Sequence, residues 1–431
     1  MKTNWDLTVF YKDFDDPEFK DDLARLPKEI DAFTAAIAAP AEDEVEKLVS
    51  LVHQEEALSN LFERLNLMIG LTLSVDANNK AANAAMAPLM RAVMGSSLAS
   101  NAFSRYLASL DNLDAIIDAD DELKARAFAL REAAENAKHQ LPEALEKPVL
   151  KMQLSGGEAF SQLRDKLDAT LLVDYDGKQI PLSAVRALAY DGDADTRRRA
   201  YEAELASYKK IELPMSFCLN NLKAEGETMA ALKGYKGVLD MALAHSRMDE
   251  KTLEAMWTAI REALPELREY FKAKGRLLGH ENGLPFYDLF APVGQSTRTY
   301  TVEEARALLL DLFGKFCPEM GEMMRTAFDE GWIDMYPREG KSGGAFCSGY
   351  YAKNISRVMT NFSGSASDVS TLAHELGHAF NNRMLHHKPI MMTETPMPLA
   401  ETASTFNETL LISQLLKTAT PEEELTLLDS C

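Results

Sequence analysis

Cysteine is scarce in this sequence. The 431 residues contain four cysteines, at positions 218, 317, 347 and 431. They lie far apart and form no Cys-x-x-Cys pair, which argues against a cysteine zinc site or a redox pair. A long chain with so few cysteines is typical of a reducing compartment, and the first residues lack the apolar core of a signal peptide. We therefore expect a cytoplasmic protein.

Positive charge and long apolar runs are also lacking. The 67 Asp and Glu residues exceed the 46 Lys and Arg residues, which gives a formal net charge of -21. Phosphate backbones and anionic lipids would repel such a protein, so we expect no nucleic acid and no membrane as partners. No apolar stretch approaches the roughly 20 residues that cross a bilayer. The hydrophobic fraction of 46% is typical of a globular protein with two or three domains or lobes.

Most of the chain has the apolar spacing of helices. Apolar residues recur three and four positions apart over residues 43–73, 80–110 and 121–138, and proline is rare within these stretches. Helix resumes near Ala194, and we expect it to continue to about Trp332. The pattern predicts a mainly helical protein.

Two regions depart from the helical pattern. Asp176-Gly177 separates the apolar runs 169–173 and 179–182, which predicts a β-hairpin. We place a domain boundary near residues 180–195, after this hairpin. Glycines punctuate residues 340–362, where we expect a small sheet with a strand at 357–362. Gly340-Lys341-Ser342 is part of a phosphate-loop pattern, but the first glycine of that pattern would fall at Met335, so nucleotide binding is not expected.

The next helix carries the motif that indicates chemistry. We expect it to begin near Ser367 or Asp368, either of which can cap it. His374 and His378 are four residues apart, so both imidazoles project from one face and can bind a single Zn²⁺. Glu375 follows the first ligand and can take a proton from a zinc-bound water. The motif predicts a zinc hydrolase.

A catalytic zinc site has a third protein ligand, and the sequence offers several. A downstream histidine is excluded because the layout that uses one would place its glycine at Asn381 and its histidine at Met384. Glu394, Glu401 and Glu408 remain. Glu394 lies in a proline-rich loop, whereas Glu401 lies on a strongly helical run that would hold a ligand rigidly. We assign Glu401 to the metal. Glu408 either accepts the second N–H of a ligating histidine or is an ordinary exposed carboxylate.

These motifs together resemble a known family. The chain is similar to oligoendopeptidase F, a branch of the thimet oligopeptidase-like zinc metallopeptidases. The resemblance covers nearly the whole chain, and its segments are 5–7, 15–19, 344–347, 361–364, 374–378 and 398–408.

The resemblance implies a site, a substrate and a fold. The metal ligands would be His374, His378 and Glu401, and Glu375 would be the general base of a metalloendopeptidase. Two helical lobes would enclose a deep channel, with a small sheet beside the zinc-binding helix. The channel would admit short unfolded peptides, whose backbone would pair with a strand at Gly343, Gly344 and Ala345.

The resemblance also implies a division of the chain. We expect an N-terminal helical region at 1–110, an oligoendopeptidase F N-terminal-type domain at 111–190 and a catalytic domain at 191–431. Relatives continue beyond the third ligand with a segment whose tyrosine and histidine residues stabilise the oxyanion, and no residue here matches that segment. We therefore expect a fragment, a remainder on a separate chain, or impaired activity. The alternative function is a peptide-binding protein that holds zinc but turns over little.

Overall fold

The computed structural model of the protein describes residues 2–293, 299–338, 340–417 and 419–429. The described residues form eighteen α-helices and five β-strands, which confirms the prediction of a mainly helical fold. Helices α1 to α18 are Pro17–Ala38, Glu44–Val75, Lys80–Ser109, Leu113–Ala119, Asp121–Lys124, Ala127–Asn136, Glu143–Ser155, Gly157–Thr170, Leu182–Ala187, Ala194–Tyr208, Glu212–Leu232, Val238–His245, Glu250–Leu277, Val302–Phe316, Pro318–Asp329, Ala366–Leu385, Met397–Leu415 and Pro421–Asp429. Strands β1 to β5 are Leu172–Tyr175, Lys178–Pro181, Ile333–Asp334, Phe346–Tyr350 and Ile355–Met359.

The chain divides into two compact units, each of which is discontinuous in sequence. The first unit comprises Met1–Gln140 and Arg298–Lys417, and the second comprises Leu141–Thr297 and Thr418–Cys431. The division expected at residues 110 and 190 follows the order of the chain and stays a prediction. Ser430 and Cys431 lie outside the described residues. Within the described residues, no helix is both long and apolar enough to cross a membrane.

Helices α1, α2 and α3 pack together in the first unit. Helices α2 and α3 follow the predicted stretches closely, and the side chains of Asp43 and Asn79 cap them. The single helix predicted over 121–138 is wrong, because the chain breaks between α5 and α6 at Arg126. The guanidinium of Arg126 donates to the backbone carbonyl of Glu122 and forms a two-point ion pair with Glu56 of α2, which holds the break in place.

The predicted hairpin is confirmed in the second unit. Strands β1 and β2 pair antiparallel, and Asp176 and Gly177 form the turn between them with φ of 48° and 76°. Two successive residues with positive φ give the turn whose twist matches that of the strands. The first strand begins at Leu172 rather than Ala169, because helix α8 continues to Thr170.

A three-stranded sheet in the first unit lies against α16. Its order is β3-β5-β4, with β3 parallel and β4 antiparallel to β5, so β4 is an edge strand. The strand predicted at Gly343–Ala345 is wrong: the chain bends there, Gly344 has a φ of +79° that an extended strand does not allow, and β4 begins at Phe346. The predicted strand 357–362 is shifted, since β5 ends at Met359.

The first residues of the chain pack against this sheet. The N–H of Asp6 donates to the carbonyl of Gly331 at 2.8 Å, and the N–H of Met335 donates to the carbonyl of Thr3 at 2.9 Å. The guanidinium of Arg357 on β5 donates twice to the carbonyl of Asp6, at 2.9 and 2.7 Å. Residues at the start of the chain therefore hydrogen-bond to the sheet region, although they are more than three hundred residues away in sequence.

Candidate metal centre

Helix α16 carries both histidines and is fixed at its N-terminus by a reciprocal cap. The helix begins at Ala366, and Ser365 rather than Ser367 or Asp368 is its cap residue. The Ser365 hydroxyl accepts from the N–H of Asp368 at 3.1 Å, and the Asp368 carboxylate accepts from the N–H groups of Ser363, Gly364 and Ser365. Burial would raise the pKa of Asp368, but these hydrogen bonds outweigh it and lower the pKa. The charged carboxylate therefore stabilises the start of the helix.

One stripe of α16 is buried and determines which face the histidines occupy. Five small or aliphatic side chains of this stripe are at most 1% exposed. They pack into a core with α14, α15 and β5, and they are Val369, Leu372, Ala373, Leu376 and Ala379. The helical period then places His374 and His378 together on the neighbouring face, where both are half-buried. Their ring centroids are 4.9 Å apart.

Helix α17 brings Glu401 to the two imidazoles. The Nε2 atom of His374 lies 3.3 Å from Glu401 Oε2, and the Nε2 atom of His378 lies 3.4 Å from the same oxygen. One donor atom from each of these residues lies within 4.8 Å of the others, and they are the one group of three or more His, Cys, Asp and Glu side chains with this arrangement among the described residues. The three residues predicted to be ligands therefore meet at one point.

Ser404 orients the Glu401 carboxylate. Its hydroxyl, which is fully buried, donates to Glu401 Oε2 at 2.7 Å. This hydrogen bond is the main reason that the pKa of Glu401 is lowered, and the two imidazoles act in the same direction. Burial lowers the pKa of His378 even though Glu401 opposes the shift. A charged carboxylate and a neutral imidazole are the forms that bind a metal ion.

Glu408 lies two turns further along α17 and reaches the back of the first histidine. Its Oε1 atom is 3.0 Å from His374 Nδ1. A carboxylate at this position accepts a hydrogen bond from Nδ1–H. The lone pair of Nε2, on the side of Glu401, is then free to bind a metal ion. Of the two interpretations of Glu408 from the sequence, this contact favours the partner of a ligating histidine.

Glu375 is buried beside the three clustered residues. It is 5% exposed, and burial raises the pKa of its carboxyl to about 7, assisted by the charges of Glu401 and Glu408. Burial raises the pKa of the Cys347 thiol on β4, and the charge of Glu375 adds to that shift. Helix α16, which carries Glu375, packs against β4. A divalent cation near the imidazoles would lower the pKa of Glu375 again, because it favours the charged form.

Gly377 permits the close approach of α16 and α17. A Cβ atom at this position would lie 2.6 Å from the carbonyl oxygen of Ala403 and 2.9 Å from the Cα of Ser404. The buried side chain of Asn407 ties the two helices together, because its Nδ2 donates to the carbonyl of Ala373 at 2.9 Å. The distance between the histidines and Glu401 therefore depends on the absence of a side chain at Gly377.

We expect Gly377→Ala to destabilise the first unit by about 1–3 kcal/mol, the usual cost of overpacking. The added methyl group must push Ala403 and Ser404 away, so Glu401 moves with them and metal affinity falls as well. Denaturant unfolding measures the first effect and metal titration the second. Gly70→Ala on α2 is the matched control, because a Cβ there meets no atom within 4 Å. The control should be neutral or stabilising by about 0.5–1 kcal/mol, and equal behaviour of the two variants would contradict the packing argument.

The other residues considered from the sequence lie elsewhere. Glu394 is exposed in the loop before α17 and is outside the group of three. His386 ends α16 and its ring packs against Tyr351, while His387 is exposed. Gly343 and Gly344 are exposed in the bend before β4, and Ala345 is half-buried.

Sequence reasoning missed Ser404, Asn407 and the role of Gly377. A glycine inside a helix costs about 0.5–1 kcal/mol relative to alanine, so its position between two histidines signals a close contact. Ser404 and Asn407 are three and six residues beyond Glu401, a spacing that places Ser404 beside Glu401 on the helix surface. That signal was present in the sequence, but it indicates a partner only once the packing of α16 and α17 is known.

The donor set fits zinc. Two imidazole nitrogens and one carboxylate oxygen are the ligands of many catalytic zinc sites, and such ligands bind at about 2.0–2.2 Å. Tetrahedral ligands at that distance are about 3.3–3.5 Å from one another. The observed separations of 3.3 and 3.4 Å between the imidazole nitrogens and Glu401 Oε2 agree with this value.

Two family models match long segments of this chain. Residues 187–430 match the family described as peptidase family M3, and residues 108–172 match the one described as oligopeptidase F. An oligoendopeptidase F homolog of Lactococcus lactis is 23% identical over 98% of this chain and 71% of its own length. Oligopeptidase PepF of Bacillus subtilis is 27% identical over 73% of this chain, which spans about half (48%) of that relative.

Solved structures share the fold. The structure titled PZ peptidase A with an inhibitor superposes with a TM-score of 0.73 at 17% identity, covering 93% of this chain and 68% of that one. Since the match to peptidase family M3 spans more than half of the sequence and includes all the clustered residues, the chain belongs to peptidase family M3 and is a peptide hydrolase.

Proposed function

We propose that the chain is a zinc-dependent endopeptidase that hydrolyses short peptides. The observation that carries the proposal is the convergence of His374, His378 and Glu401 with a buried carboxyl, Glu375, beside them. These three residues would hold the ion. Bound zinc supplies a Lewis acid that polarises the peptide carbonyl and makes water more acidic.

Glu375 is the residue that would move protons. Its carboxylate takes a proton from the attacking water while the water oxygen forms a bond to the carbonyl carbon. It then donates that proton to the amide nitrogen as the C–N bond breaks, so one water molecule is consumed for each peptide bond. Its burial excludes bulk water, and the helix that carries it packs against the edge strand β4.

The substrate would bind along β4 and the bend before it. Strand β4 lies at the edge of its sheet, and the N–H groups of Gly343, Gly344 and Ala345 have no hydrogen-bond partner among the described residues. An extended peptide can pair with β4 by strand addition, and its carbonyl oxygens can accept from N–H groups of the bend. Only an unfolded segment offers a free backbone for such pairing, which supports short unfolded peptides as the substrate class and oligopeptide turnover as the role. The channel between two lobes and the assignment of Gly343, Gly344 and Ala345 stay part of this proposal.

The first test is zinc content together with cleavage of a quenched fluorescent peptide of about eight residues. We expect one zinc per chain, cleavage within the peptide, loss of cleavage with a chelator and recovery with added zinc. Zinc without cleavage, combined with measurable peptide binding, would instead support the alternative of a peptide-binding protein. A chain that binds no zinc would contradict both.

Glu408→Gln should weaken zinc binding by about 10–100-fold, the usual effect of removing the hydrogen-bond partner of a ligating histidine. The amide has nearly the same size as the carboxyl, but it no longer carries the charge that makes His374 a better ligand. Competition with a fluorescent zinc chelator measures the change. Glu424→Gln on α18 is the control, and its zinc affinity should equal that of the wild type. An unchanged affinity in Glu408→Gln would show that this contact does not support the ligand.

A further inference from the structure

Residues 340–345, which lead into β4, form a glycine-rich segment that has many accessible conformations in the free chain. Three of the six residues are glycine, and Gly340 and Gly344 both have positive φ, at 81° and 79°. Glycine loses more conformational freedom on folding than any other residue. A segment of this composition presents its N–H groups in one arrangement only if other groups hold it.

The buried side chain of Lys341 anchors the segment to the neighbouring sheet. Its side chain is 0% exposed, and the ammonium donates to the carboxylate of Asp334 at 2.7 Å. It also donates to the carbonyl oxygens of Tyr336 at 2.9 Å and Thr360 at 2.6 Å. A lysine so fully occupied is not free to bind phosphate, which agrees with the absence of a complete phosphate loop. It links β3 and the end of β5 to the bend instead.

Asn361 holds the segment from the other end. Its Nδ2 donates to the carbonyl oxygens of Ser342 at 3.0 Å and Gly344 at 2.8 Å. These two contacts fix the peptide plane between Ser342 and Gly343 and the plane between Gly344 and Ala345, and so they fix the directions of the N–H groups of Gly343 and Ala345 and hold Gly344 between them. The backbone adds three contacts. The N–H of Ser342 donates to the carbonyl of Ser74 at 2.8 Å, the N–H of Ala77 donates to the carbonyl of Gly340 at 3.0 Å, and the N–H of Lys341 donates to the carbonyl of Arg338 at 3.2 Å.

We propose that Lys341 and Asn361 are positioning residues for the substrate: by locking residues 340–345, they preset the unpaired N–H groups of Gly343, Gly344 and Ala345 for a peptide backbone. The proposal deepens the proposed function and rests on it. Neither side chain touches the clustered histidines in the contacts described above. Loss of either residue should therefore weaken peptide binding and leave the chemical step intact, because binding must then order the segment.

The test uses two substitutions that remove donors with little change in volume. Asn361→Asp has the same shape without an N–H donor. Lys341→Met keeps most of the chain length without the charge, and Asp334 retains its two-point ion pair with Arg338, at 2.6 and 2.9 Å. We expect KM for the quenched peptide to rise about tenfold or more in each variant, with kcat within about threefold of the wild type and zinc content unchanged.

The controls remove similar groups elsewhere. Lys315→Met deletes an exposed ammonium that pairs with Asp311, and Asn221→Ala deletes an amide that donates to the carbonyl of Phe217. Both should leave KM unchanged. A general loss of folded protein would lower kcat and zinc content and leave KM constant, so the split between KM and kcat separates positioning from stability.

Failure of this inference can be distinguished from failure of the proposed function. If the wild type cleaves peptides and both variants keep its KM, the positioning role is refuted and the endopeptidase stands. If the wild type does not cleave, binding of a fluorescent peptide replaces KM, and a tenfold weaker Kd in Asn361→Asp supports the inference without catalysis. If the wild type neither cleaves nor binds the peptide, both are overturned.

Discussion

Replacing Glu375 with glutamine should abolish peptide cleavage and leave zinc in place. General-base catalysis contributes about 10²–10⁴-fold to rates, and an amide cannot accept the proton of the attacking water. The substitution keeps the shape of a side chain that is 5% exposed, so the fold should be retained. Glutamine also needs no charge in this buried position, and thermal stability should therefore equal or exceed that of the wild type near neutral pH.

The measurements are kcat on the quenched peptide, zinc content and the unfolding midpoint. Glu424→Gln on α18, the same change at an exposed carboxylate, serves as a control and should keep normal kcat. A variant Glu375→Gln that retained more than about one tenth of the wild-type kcat would show that another group removes the proton. Loss of zinc in this variant would instead indicate that Glu375 supports the metal.

Replacing Glu401 with alanine should remove most of the bound zinc. The substitution deletes the carboxylate whose Oε2 atom lies 3.3 Å from His374 Nε2 and 3.4 Å from His378 Nε2. Two histidines alone would supply two of the three protein ligands of a catalytic zinc site. We expect zinc affinity to fall by about 10²-fold or more, which is at or above the largest effect of replacing a residue that supports a ligand. Cleavage would fall in parallel and would recover partly at high zinc concentration.

Metal content per chain, measured on the wild type and the variant side by side, checks this prediction. Glu394→Ala is the matched control, because it removes the exposed loop carboxylate that the sequence offered as an alternative. Zinc retained in Glu401→Ala and lost in Glu394→Ala would reverse the assignment. The same measurement on Glu408→Ala completes the set of three candidates.

The sequence predicted which residues come together more accurately than it predicted the elements around them. Two histidines four residues apart on an apolar-striped helix determine their own geometry, because the helical period brings them to one face. The sequence indicated that the third residue, Glu401, lies on a helix, but it could not show that this residue contacts the histidines. Its selection depends on how closely α17 approaches α16, and that approach is governed by Gly377 and Asn407, whose roles appear only in the packed structure.

Turns and helix starts were predicted correctly where only a few residue types fit the required backbone conformation. Asp176-Gly177 gave the hairpin turn, since few other pairs accept two positive φ values. The start of α16 was displaced because several residues that can cap a helix occur in a row, and only Ser365 has both contacts of the reciprocal cap. The bend at Gly343–Ala345 was mistaken for a strand because a positive φ at Gly344 depends on hydrogen bonds from Asn361, a residue distant in sequence.

The contact between the first residues and β5 has a consequence for how the protein is made. Asp6 and Arg357 are 351 residues apart. A ribosome that adds about 5–20 residues each second needs roughly 20–70 s to synthesise the chain between them. Trp5 and Phe10, which pack against Phe346 and Tyr350, remain without these partners during that time.

The residues of the candidate metal centre lie much closer together in sequence. His374 and Glu408 are 34 residues apart, so α16 and α17 can pair within moments of their synthesis. The sheet that supports them must instead wait for the closure of a very long loop, and contacts of such high sequence separation form slowly. The helical core of α1 to α3 can form early, but the first unit cannot be completed until β5 has been synthesised. On the proposed function, the two helices that would hold the metal ion can therefore pair before the sheet beside them is complete.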